Sequence, residues 1–152
     1  DPSPGLWFLV DTGLVEHFLP ELPAMRLEQD PIHRHKDVLT HTIAVVAKTR
    51  PERLVRLAAL YHDVGKPRTR AIGDAGVSFH HHEMVGARLT SKRMKALRFP
   101  KDVTQDVARL VELHLREIVG VRVNLNVHRA FALLRELVFQ PRGTEPHQRE
   151  CH

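Results

Sequence analysis

Apolar positions recur at helical spacing along most of the first 115 residues, and prolines and glycines punctuate them. Pro4 suits the first turn of a helix, and Leu6, Leu9, Val10, Leu14 and Phe18 continue a stripe that Gly13 weakens. Pro20 and Pro23 end that helix, and Pro23 to His35 reads as a loop. A second helix is expected over Lys36–Lys48, with Asp37 near its start, Val38, Thr42, Val45 and Val46 on its buried side and His41 beside them. Pro51 opens a third helix whose core face is Leu54, Leu57, Ala58 and Tyr61; Gly65-Lys66-Pro67 stops it, so His62 and Asp63 fall in its last turn.

Thr69 to Ser78 carries Gly73, Asp74 and Gly76 and reads as a loop or a small hairpin. A helix from about His81 to Leu97 follows. Pro100 then starts another, with Val103, Val107, Leu110, Val111 and His114 on one stripe. Gly120 to Val127 alternates as a strand does, Val127 to Val138 is again helical, and the polar stretch from Gln140 is expected to be disordered. No internal repeat is visible. The expected architecture is all-α, a helical bundle.

Bulk composition narrows the class. At 152 residues the chain is one domain by prior, and 42% hydrophobic with 27% charged residues is ordinary for a soluble globular protein. The formal charge of +5 favours an anionic partner such as RNA or a nucleotide, although a merely solvated basic surface fits equally well. The single Cys151 rules out an internal disulfide framework and agrees with the cytoplasm. No apolar run is long enough for a membrane span, and Leu6–Val10 is too short for a signal sequence. The chain begins without Met, as if cut from a longer protein or processed.

The 12 histidines are the unusual feature. Neutral imidazole is a common transition-metal ligand. Adjacent helical residues point about 100° apart, but at a helix end both His62 and Asp63 can turn toward one ion. A short connector, Thr49-Arg50-Pro51, would place His41 opposite His62 on an antiparallel helix. Three ligands from two helices leave coordination positions for water and phosphate, as in a catalytic metal site. An imidazole–carboxylate set suits Mn, Fe, Co, Ni or Zn, and Mg less well. His80-His81-His82-Glu83 is either a surface cluster at a helix start or the source of a further ligand, His82. His114 is either a satisfied core histidine or another ligand. Lys66 either binds a phosphate as a point charge or caps a helix C-terminus.

The string Leu60-Tyr61-His62-Asp63-Val64-Gly65-Lys66-Pro67, preceded by His41-Thr42-Ile43-Ala44-Val45, resembles the HD phosphohydrolase superfamily. Further blocks narrow the likeness: Gly5-Leu6-Trp7, Gly13-Leu14-Val15, Pro20-Glu21-Leu22-Pro23, Glu28-Gln29-Asp30, His35-Lys36-Asp37-Val38 and Phe79 to Ala87. Over about residues 2–116 the chain is similar to the HD portion of bacterial CCA-adding tRNA nucleotidyltransferases and their poly(A) polymerase relatives, with an actinobacterial character. The transferase head of that family, with its Gly-Ser loop and paired Asp residues, is absent, so nucleotide addition is not expected from this chain alone. The likeness fades after Arg116, and no Asp follows Asp106 to complete the family's metal set. A frameshift or truncation near Glu117 is one explanation.

The resemblance implies an HD domain over 1–116, a divergent tail over 117–139 and disorder over 140–152. It implies a divalent metal held by His41, His62, Asp63, His82 and His114, with Asp63, Lys66 and His82 as the catalytic group. The implied reaction is hydrolysis of a phosphoester in a nucleotide or at an RNA 3′ end, tRNA being the partner, with no membrane involved. The alternative is a non-catalytic RNA-binding or structural module that supports tRNA 3′-end processing.

Overall fold

The computed structural model describes residues 1–27, 37–73 and 76–115. They form helices α1 (Ser3–Asp11), α2 (Glu21–Ala24), α3 (Val38–Lys48), α4 (Arg53–Tyr61), α5 (Lys66–Thr69), α6 (His82–Ala96) and α7 (Lys101–Leu113). A two-stranded antiparallel hairpin, β1 (Arg70–Gly73) and β2 (Gly76–Phe79), stands between α5 and α6. The helical bundle expected from the periodicity is what is found. The strand-like and helical readings beyond Gly120, and the disorder expected from Gln140, lie outside the described residues.

The N-terminal stripe does not make one helix. Gly13 adopts φ 73°, the left-handed conformation open to glycine, and α1 ends at Asp11. A 3₁₀ turn, Leu14–His17, follows. The change of helical period turns Val15, Leu19, Leu22 and Met25 into the core and leaves Leu14 and Phe18 exposed. Pro20 and Pro23 belong to the start of α2, where a missing N–H costs nothing, instead of ending a long helix.

α3 starts where Asp37, in an extended conformation, accepts hydrogen bonds from the Thr40 backbone N–H at 2.6 Å and from Thr40 Oγ1 at 3.0 Å. Val38, Leu39, Ile43, Val45 and Val46 bury its inner face. In α4, Val55, Ala58, Ala59 and Tyr61 are buried and Leu54 and Leu57 are half-buried against the core, so the expected face is found and is widened by Val55 and Ala59. His62, seven positions after Val55, continues that stripe. α7 buries Val103, Val107, Leu110 and Val111 as the spacing predicts, and His114 is the next residue on the same face.

α7 packs against both α4 and α6, so the ends of all three helices come together. At about 1.5–3 kcal/mol per buried aliphatic side chain, the Val107, Leu110 and Val111 contacts supply a large part of what fixes this arrangement. A bidentate pair from Arg93 to Glu21, with N–O distances of 2.9–3.1 Å, ties α6 to α2. The Tyr61 hydroxyl sits near this pair, its pKa pushed up to about 12 by burial first and by the Glu21 charge second. No helix among the described residues is long and apolar enough to cross a membrane.

Candidate metal centre

The site is built on the turn that follows α4. The helix closes at Tyr61, and Val64 N–H to Tyr61 O and Lys66 N–H to Asp63 O shape a tight turn in which His62 and Asp63 are both fully buried. Gly65 does not stop a helix by left-handed capping, because its φ is −78°. Instead it lets backbones touch. A Cβ there would overlap the His82 carbonyl oxygen and lie 2.7 Å from the Gly86 nitrogen. On the other side, a Cβ on Gly86 would lie 3.3 Å from Val111 Cγ1 and 3.4 Å from the Gly65 nitrogen. This glycine pair is the crossing point that carries the first turn of α6 onto the His62–Asp63 turn.

Three histidines from three elements are oriented in the same way. The Nδ1 atom of His62 lies 2.7 Å from the Ala59 carbonyl, that of His82 2.8 Å from the Phe79 carbonyl, and that of His114 2.6 Å from the Val111 carbonyl. A carbonyl oxygen only accepts, so each Nδ1 carries the proton and donates it. Each Nε2 of a neutral ring is then a bare lone pair. All three Nε2 atoms are buried without a hydrogen-bond partner. The rings pack edge-on, with centroids 5.5 Å apart for His62 and His114 and 5.2 Å for His82 and His114. His41, on the rim with its side chain 29% exposed, meets His62 at 5.4 Å.

Asp63 stands among them. Its Oδ2 is 3.1 Å from His62 Nε2, 2.8 Å from Lys66 Nζ and 4.0 Å from His41 Nε2, and its Oδ1 is 3.5 Å from His82 Nε2. Burial pushes the carboxyl up, but the electrostatic pull of the surrounding His62, His82 and Lys66 outweighs it and holds it well below the usual carboxylate range. His114 is driven the other way from a cation: burial first, and the neighbouring His62 second, lower it to about 3. It is a neutral imidazole, the ligand form, at any ordinary pH.

A divalent metal ion fits this donor set. An imidazole lone pair 3.1 Å from a carboxylate oxygen is repulsive unless a proton or a cation lies between them. Ligands at about 2.1 Å around one small cation stand about 3 Å apart. Backbone carbonyls behind each ring are the usual outer support of ligating histidines. The donor atoms of His41, His62 and Asp63 lie within 4.8 Å of one another, as do those of Asp63, His82 and His114.

Every residue singled out from the sequence as a ligand therefore reaches one cluster, buried except for His41 at its rim, and Lys66 joins it through Asp63. Lys66 also lies over the Phe79 ring, 5.6 Å from its centroid. His80 and His81 are exposed and stay outside the cluster. Glu83, read as a surface residue at a helix start, is buried. Two features escaped the sequence reading: the close crossing made by Gly65 and Gly86, and the carbonyls of Ala59, Phe79 and Val111. The recurring signal for the carbonyls is a histidine at the C-terminal edge of a turn, three residues after the acceptor.

With the geometry in place, comparison with known proteins is decisive on one point. The family model described as the HD domain matches residues 37–146. The chain belongs to the HD domain family. The matched span covers more than half of the HD chain and runs past Arg116 into residues outside the described set.

Relatives of this HD domain chain include the A-adding tRNA nucleotidyltransferase of Deinococcus radiodurans, 36% identical over 148 residues, which cover 91% of this chain and 34% of the relative. The CC-adding tRNA nucleotidyltransferase of Thermus thermophilus is 38% identical over 140 residues, covering 87% and 31%. The multifunctional CCA protein of a Janthinobacterium strain is 30% identical over 135 residues, covering 79% and 32%. The chain thus spans about a third of the length of these relatives.

Proposed function

We propose that this HD domain hydrolyses a phosphoester bond in a nucleotide or at the 3′ end of an RNA, within a protein related to the tRNA nucleotidyltransferases. The observation that carries the reading is the convergence of three buried, unpartnered Nε2 lone pairs on an ionised carboxylate. No satisfied structural core needs such a group, because each unpaired buried polar atom costs about 1–3 kcal/mol.

In this reading His41, His62, Asp63, His82 and His114 hold a divalent metal, with Mn, Ni, Co, Fe, Zn and Mg the candidates. When bound, such an ion supplies Lewis acidity toward a phosphoryl oxygen and acidifies water. Asp63, anionic in the neutral range, orients the attacking water as well as ligating. Lys66 receives the phosphate charge at the inner wall, and His82 serves there as a ligand. His41, on the open side, borders the approach. The net charge of +5 suits a polyanionic substrate, and tRNA is the macromolecule that the relatives' names suggest.

The test is a phosphatase assay on nucleotides and on 2′,3′-cyclic substrates with Mn, Ni or Co, alongside Asp63→Ala. Turnover by the wild type and none by the variant is expected; an equal background from both overturns the hydrolytic reading. The second reading is a non-catalytic RNA-binding module, which the relatives' tRNA nucleotidyltransferase names also suit. That module would bind an RNA 3′ end with equal affinity before and after Asp63→Ala.

A further inference from the structure

Resting on the reading above only in taking RNA as the ligand, we infer that the outer face of α6 and the turn into α7 form a docking surface for the phosphate backbone of double-helical RNA. Its residues are Arg88, Lys92, Lys95, Arg98 and Lys101. It requires neither a metal nor hydrolysis.

The charge of the chain is concentrated on this segment. Residues 84–101 hold six Lys or Arg and no Asp or Glu, while the other 134 residues hold 17 basic and 18 acidic side chains. The whole positive excess therefore lies here. Five of the six basic residues are exposed, and the sixth, Arg93, is the partner of Glu21. Among the described residues none of the five pairs with a carboxylate.

Helix geometry sets them in a row. At about 100° per residue, Arg88, Lys92 and Lys95 fall within an arc of about 60°. Gly86, Leu89, Thr90 and Met94 bury the other side of α6. At about 1.5 Å per residue, the row starts about 9 Å along the helix from the ligand His82 and reaches about 20 Å from it at Lys95.

Local structure does not ask for these residues. Arg98 has φ 58°, a left-handed position after α6 where glycine costs least. Lys101 opens α7, where the helix dipole favours an anion. The dipole of α6 favours Lys95 in its last turn but does not reach back to Arg88.

The chemistry of the face selects the ligand. Phe99, the single aromatic residue of the segment, packs against the core, so no exposed ring is offered to stack an unpaired base. Leu97, 36% exposed, is the one large apolar side chain open at the surface of the segment. That is too little for a membrane surface or for the apolar centre of a protein interface. A row of cations with neither rings nor an apolar patch suits a stiff line of phosphates, which is how duplex RNA is bound without reading its bases.

The experiment is fluorescence anisotropy of the full chain with a labelled RNA duplex of about 16 base pairs, the span of a typical duplex-binding domain, over a salt series. The triple variant Arg88→Gln, Lys92→Gln, Lys95→Gln keeps good helix formers on the face. It is expected to bind at least tenfold more weakly. Its slope of log affinity against log salt is expected to be shallower by about 2–3, at about 0.9 per phosphate contact. A second triple, Lys48→Gln, Arg50→Gln, Arg53→Gln, removes the same charge from exposed positions elsewhere and is expected to bind as the wild type does. Arg98→Gly is expected to raise the unfolding midpoint and still to lower RNA affinity a few-fold. Equal losses in the two triples, or unchanged affinity in Arg98→Gly, overturn the surface as drawn. No binding by the wild type, or poly-glutamate bound as tightly as the duplex, overturns the assignment of RNA. Phosphatase activity is read separately: duplex binding through the row without turnover sinks only the hydrolytic reading, and turnover without duplex binding sinks only this surface.

Discussion

Two short, glycine-containing connectors lie within 20 residues of each other and behave in opposite ways. The turn His62–Gly65 is wholly buried, packed beneath α6 and α7, and holds an aspartate that is 1% exposed. The hairpin Arg70–Phe79 is held by its own strand pairing; β1 is exposed along its whole length, and Ile72 at its end is 75% exposed. By composition the two look alike. The difference is what the neighbours demand. The buried turn has helices on it that leave no room for a methyl group, and its polar atoms can be satisfied only by one another or by an ion. β1 of the hairpin lies open to solvent, where water satisfies whatever its side chains offer, while β2 is half-buried on the side of the site. Tolerance to change follows this contrast.

Gly65→Ala should be the most damaging single change. The new Cβ collides with the backbone of α6 at His82 and Gly86, atoms that cannot rotate away. We expect a loss of about 2–4 kcal/mol in denaturant unfolding, together with weakened metal binding as His82 is displaced. A wild-type stability in this variant would contradict the tight crossing.

The pH dependence of the buried site should come next. His114 has its folded pKa depressed to about 3 against an ordinary 6.5, so the unfolded chain binds its proton first as pH falls. The stability that comes from keeping this ring neutral is fully present above about pH 6.5. It is lost as pH drops toward 3, with a limiting slope of about 1.4 kcal/mol per pH unit. Asp63 adds to the loss only at lower pH, because its contribution is present above about 4 and disappears as its lowered folded pKa is passed. Denaturation midpoints of chelator-treated protein between pH 7 and 4 measure this, and His114→Gln should flatten the profile. An unchanged slope in the variant would assign the loss elsewhere.

Asp37→Ala removes the cap of α3, the helix that presents His41, and should cost about 1 kcal/mol. Thermal unfolding reads it, and Asp37→Ser should recover most of the loss. At the other end of the comparison, Ile72→Thr on the hairpin should change stability by less than about 0.5 kcal/mol. A larger loss in unfolding free energy would show that the hairpin is packed against something in solution.

How much of this could be read from the chain depended on whether one residue or two elements carried the signal. α3, α4 and α7 were legible because their apolar spacing repeats within one helix, and His114 was placed correctly on its stripe for the same reason. The cluster of candidate ligands was legible because His62-Asp63 and the residues around it form a dense local string. The end of α1 was not, because Leu14 and Phe18 continue the hydrophobic spacing that the left-handed Gly13 interrupts. The role of Gly65 was misread as a helix stop because its meaning lies in α6, a partner that spacing along one segment does not reveal. The orientation of the three imidazoles was equally hidden, since it depends on backbone carbonyls and not on side chains.

The central claim is that Nε2 lone pairs and Asp63 were shaped to hold a divalent cation, and Co(II) binding to the chelator-treated chain tests it most directly. Ligand-field absorption should appear on titration, and unfolding should become harder by about 2.7 kcal/mol when free Co(II) reaches a hundredfold excess over its dissociation constant. Asp63→Ala should lose both effects. Identical absorption and identical unfolding in the wild type and the variant would contradict the account.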